Sequence, residues 1–85
     1  MDREERLQAL NKIEGQLSQY LAADKKNWIQ TYLLMSEVQD KELYIVNYRS
    51  YTKSKDGQIK VLQTADKLPA IMRDKTLNSL VLKLL

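Results

Sequence analysis

The chain is 85 residues long, 44% hydrophobic and 29% charged, with a net charge of +3. That length suits one small domain, so residues 1–85 are read as a single unit, and the composition is that of a folded chain rather than a disordered one. The sequence contains neither Cys nor His, which removes disulfide staples, thiol nucleophiles, the commonest general base and the usual zinc ligands together.

Other enzymatic equipment is also sparse. Gly15 and Gly57 are the only glycines, so no glycine-rich phosphate loop can be built. Glu37, Asp40 and Glu42 lie close in sequence, but among Gln39 and Lys41 they read as solvated acids rather than a Mg²⁺ cluster. The expectation is a protein that is not an enzyme and carries no cofactor and no metal. The start, MDREERLQ, lacks the apolar core of a secretory signal, and no apolar run approaches the roughly 20 residues that span a bilayer. A cytoplasmic protein with no membrane contact is therefore expected.

Charge is unevenly distributed. Residues 1–43 carry six basic and eight acidic groups, whereas residues 44–85 carry eight basic groups against Asp56, Asp66 and Asp74. A basic second half points to an anionic partner, and it also suits a small domain that simply stays dispersed.

The first helix is expected over about Arg3–Leu21. Asp2 and Glu5 have capping-box spacing, and Leu7, Leu10, Ile13, Leu17, Tyr20 and Leu21 form one stripe. Gly15 interrupts this helix and is read as tolerated there. Asp24 suits the N-cap of a second helix after the short joint Ala22-Ala23, so the two helices form a hairpin. Trp28 and Tyr32 are expected to pack in its core against Leu17 and Leu21.

From Leu43 the period changes from 3.6 to 2, with Tyr44, Val46 and Tyr48 on one face and Ile45, Arg49 and Tyr51 on the other. Asp56-Gly57 then separates this run from Ile59–Gln63. A β-hairpin of about 43–53 with 58–63, turning at 54–57, is predicted. If Asp40-Lys41-Glu42 fails to break the second helix, the chain is nearly all α instead.

Pro69 suits the first turn of a last helix, although a start after Asp74 fits the apolar pattern as well. The fold class is thus α+β in the order α-α-β-β-α. A helix-turn-helix reading of Thr64–Leu85 fails, because Pro69 falls where the turn glycine belongs.

Two functional surfaces follow. The hairpin concentrates Tyr48, Arg49, Tyr51, Lys53, Lys55 and Lys60 against the single acid Asp56, which suits contact with nucleic acid. Lysines on a ribbon edge also serve to block aggregation, so the signal is not specific. The chain ends on LNSLVLKLL, apolar on nearly every side, and Leu77, Leu80, Val81, Leu84 and Leu85 are expected to form a homodimer interface. The two functions these surfaces imply are a regulatory nucleic-acid-binding protein and a protein–protein module, such as an adaptor, inhibitor or antitoxin-like subunit.

Overall fold

A computed structural model of the chain describes residues 2–22 and 28–84, with side chains at all of these except 21, 22, 28 and 81–84. The architecture is α+β. Helix α1 spans Arg3–Ala22 and α2 spans Trp28–Asp40, followed by a 3₁₀ turn at Leu43–Val46. Strands β1 (Tyr51–Lys53) and β2 (Ile59–Val61) come next, then a second 3₁₀ turn at Ala70–Met72 and helix α3 (Leu77–Leu84).

The start of α1 is fixed as its sequence implies. The Asp2 carboxylate accepts a hydrogen bond from the Glu5 backbone N–H at 2.8 Å, and that bond holds the Asp2 carboxyl below its ordinary pKa. Leu10, Ile13 and Leu17 are buried, while Leu7 and Tyr20 are half-buried beside them. On α2 the buried face is Thr31, Met35 and Val38, at steps of four and three. Tyr32 is not part of it: 41% of Tyr32 is exposed, because it lies about 100° around the helix from the buried Thr31–Met35–Val38 face. The expected N-cap Asp24, the joint at Ala23 and the packing of the Trp28 side chain lie outside the described residues.

The expected strand over 43–50 does not form. Glu42 adopts a left-handed conformation (φ 55, ψ 35) that ends the α2 path, and the chain tightens into the 3₁₀ turn. Leu43 is buried there while Tyr44, Ile45 and Val46 are half-buried, a one-sided pattern with no alternation. Packing against α1 and α2 has overridden the β propensity of these residues.

The hairpin forms where Asp56-Gly57 places it, but it is short. The two strands are antiparallel with Tyr51 opposite Val61, Thr52 opposite Lys60 and Lys53 opposite Ile59. Ser54 N–H donates to the Gln58 carbonyl at 2.7 Å, and Gly57, at φ 79, supplies the left-handed residue that closes the loop.

Residues 74–76 then run along the far side of β2. Val61 N–H donates to the Lys75 carbonyl at 2.9 Å and Asp74 N–H to the Val61 carbonyl at 2.8 Å, with Lys60 and Thr76 bridged antiparallel. Helix α3 starts only after this strap, as the pattern beyond Asp74 allowed. Thr76 and Ser79 cap it reciprocally: Thr76 N–H donates to Ser79 Oγ at 2.8 Å, and Ser79 N–H donates to Thr76 Oγ1 at 3.4 Å. A single buried cluster draws on α1, α2, both 3₁₀ turns, both strands, Ala65, Leu68 and α3.

Candidate nucleic-acid interface

The polar surface that includes the sequence-derived residues is built on the turn Asn47–Ser50. Asn47 accepts backbone hydrogen bonds from Ser50 (3.3 Å) and Tyr51 (3.2 Å), and its side-chain amide donates to Ser50 Oγ at 3.0 Å. An Asn at the start of a turn fixes its own backbone in this way and sends the central residues outward. Those residues are Tyr48, which is 77% exposed, and Arg49, also exposed. The Thr64 hydroxyl donates to the Arg49 carbonyl and ties the turn to the loop after β2.

The remaining expected residues fall into three groups. Lys53 and Lys55 are exposed at the hairpin tip, and the Lys53 side chain runs over Gly57. Lys60 is half-buried, on the opposite face of the ribbon from Lys53 and next to the 74–76 strap. Tyr51 points into the core with 1% exposure, and its hydroxyl donates to Glu14 Oε2 at 2.7 Å. Tyr51 therefore cannot stack on a base: its face of β1 is the one that covers α1. The ribbon is not a free-standing arm, since one face is core and one edge is covered.

The expected oligomer interface is also revised. Leu77 (6% exposed) and Leu80 (2%) belong to the chain's own core, because α3 lies against α2 within the same molecule. The side chains of Val81 and Leu84, and Leu85 entirely, lie outside the described residues. Among the described residues, the large exposed apolar side chains at helical spacing are instead Ile29 (53%), Tyr32 (41%) and Leu33 (54%) on α2.

Sequence reasoning missed a pair of clefts that meet at Lys67. The first, of about 260 Å³, lies between the Tyr48-Arg49 turn and the loop after β2, lined by Asn47, Arg49, Ser50, Thr64, Asp66 and Lys67. The second, of about 340 Å³, is lined by Asn11, Glu14, Gly15, Ser18 and Lys67. Ser18 Oγ donates to the Lys67 carbonyl at 3.0 Å and binds the loop to α1. Glu14, at 4% exposure, has its pKa raised by burial; the Tyr51 hydroxyl and the Lys67 charge oppose that rise. Burial, followed by the Glu14 charge, pushes the Tyr51 phenol far above its ordinary value, so it stays a donor. The sequence did carry one signal for Glu14: it sits four residues after Leu10 and three before Leu17, inside the apolar stripe. Lys67 has no local signal, because its neighbours in space come from residues 11–18 and 47–50.

Among the described residues no three acids gather as a metal site, and Glu37 pairs with Lys41 instead. No helix among them is long and apolar enough to cross a membrane. No protein-family model matches this chain, and comparisons with curated proteins and with solved structures give no match either.

Proposed function

We propose that this is a non-enzymatic nucleic-acid-binding protein of regulatory type that takes single-stranded ligand on the Tyr48-Arg49 turn and the hairpin tip. The observation that carries the reading is the exposure of Tyr48, the largest among the exposed apolar and aromatic side chains of the described residues, directly beside a solvent-facing arginine. An aromatic ring stacks on any unpaired base, and adjacent cations hold the backbone; a duplex would hide the base faces. Arg49, Lys53 and Lys55 supply the phosphate contacts. Tyr51 and Lys60 are no longer among the proposed contacts.

Fluorescence anisotropy with a labelled oligo-dT tests this. Three phosphate contacts on a single strand give a slope of log K against log salt of about −2. Tyr48→Ala is expected to weaken binding by about 1–3 kcal/mol without loss of fold, since the ring contacts little of the core. Absence of binding at low salt rejects the reading.

A second reading, the protein–protein module, is favoured by the exposed Ile29, Tyr32 and Leu33 face of α2. The occupant we propose is a second copy of this chain. From Trp28 through Ser36 the helix carries no charge, so two copies meet there without like-charge repulsion. The three side chains lie together on one face of the helix and each is 41–54% exposed, which suits the centre of an interface. Light scattering is expected to show a homodimer that Leu33→Asp converts to a folded monomer. A wild-type chain that stays monomeric at high concentration would reject it.

A further inference from the structure

We infer that the cleft between the Tyr48-Arg49 turn and the loop after β2 seats one backbone phosphodiester, with Lys67 as a contact residue that lies outside the hairpin. The inference rests on the single-strand reading above and names its anchoring site.

Two cations, Arg49 and Lys67, reach this cleft from segments 18 residues apart in sequence, and neither forms an ion pair with any described residue. Surface cations on a small domain are often scattered; here they share one concave wall. Between them lie hydrogen-bonding groups rather than apolar ones. Ser50, at 5% exposure, accepts from the Asn47 amide, so its own hydroxyl proton has no acceptor among the described residues and is available to a ligand oxygen. The Asn47 amide and the Thr64 hydroxyl are already committed to Ser50 Oγ and the Arg49 carbonyl, which holds the wall in shape.

The charge balance selects the ligand. Asp66 lines the same cleft, so the wall carries two positive charges and one negative. Its single net charge matches the single charge of a phosphodiester, and the Asp66 carboxylate opposes the second charge of a phosphate monoester or inorganic phosphate dianion. Glu14 lies beyond Lys67 in the neighbouring cleft and tempers the lysine's field in the same direction. With the diester seated here, the exposed Tyr48, next in sequence to Arg49, is free to stack on a base of the same strand.

The test compares Lys67→Gln with Lys12→Gln, an exposed lysine of α1 that lines neither cleft, in oligo-dT titrations across a salt series. Circular dichroism checks that each variant is folded. With Lys67 as a fourth contact the wild-type slope steepens from about −2 to about −3; loss of that contact is expected to weaken Lys67→Gln about tenfold and return its slope to about −2, with Lys12→Gln close to wild type. Inorganic phosphate is expected to compete no better than chloride at equal ionic strength. Equal affinity of Lys67→Gln and wild type overturns the phosphate seat and leaves the Tyr48 reading standing. No oligonucleotide binding at all overturns both. Strong competition by inorganic phosphate overturns the assignment to a diester.

Discussion

Glu14 and Tyr51 make the most consequential single contact in the molecule. A carboxyl group and a phenol, 37 residues apart, share a 2.7 Å hydrogen bond between the buried face of α1 and β1. Because burial raises the Glu14 pKa, the folded chain holds that proton more tightly than the unfolded chain does. The stabilisation from this linkage is fully present below the unfolded value and is lost as pH rises through the folded one. Glu14→Gln keeps an acceptor for the Tyr51 hydroxyl and removes the charge. That variant is expected to be more stable than wild type at neutral pH, with the difference shrinking toward pH 4 in urea melts at several pH values. A constant difference across pH would assign the effect to packing instead.

The two glycines separate tolerance from requirement at the level of elements. A Cβ at Gly15 meets nothing within 4 Å, and the residue sits on the exposed side of α1. Gly15→Ala is expected to stabilise the chain by about 1 kcal/mol through helix propensity alone. Gly57 holds φ 79 in the hairpin loop, so Gly57→Ala is expected to cost about 1 kcal/mol although the added Cβ would meet only the Lys53 side chain, at an ordinary contact distance of 3.9 Å. Thermal melts of the pair should move in opposite directions. Elements with local signals were legible in the same sense: the Asp2 cap and apolar stripe gave α1, and Asp56-Gly57 gave the turn. Leu43–Val46 misled because aromatic and β-branched residues mark partial burial as well as strand. Glu42 turns left-handed without the glycine that would have announced it.

Across the whole molecule, the site was only half legible for the same reason. Composition singled out Tyr48, Arg49, Lys53 and Lys55 for the candidate site, and the structure leaves them exposed. Alternation put Tyr51 on the same strand face as Arg49, but once 43–50 is not a strand that argument lapses, and the core claims the ring. Lys67 and Glu14 enter only through tertiary proximity, which no spacing rule encodes. Leu77 and Leu80 show the opposite error. An 85-residue chain has so little apolar material that Leu77 and Leu80 are used inside, which leaves α2 with the uncovered face.

The strap formed by residues 74–76 closes one route to assembly. Strand addition needs a row of unpaired N–H and carbonyl groups, and the strap already occupies that side of β2. What remains is the outer margin of β1, three residues long and ending in an exposed lysine, too short and too charged to template another backbone. Among the described residues, association through this ribbon is therefore left to side chains.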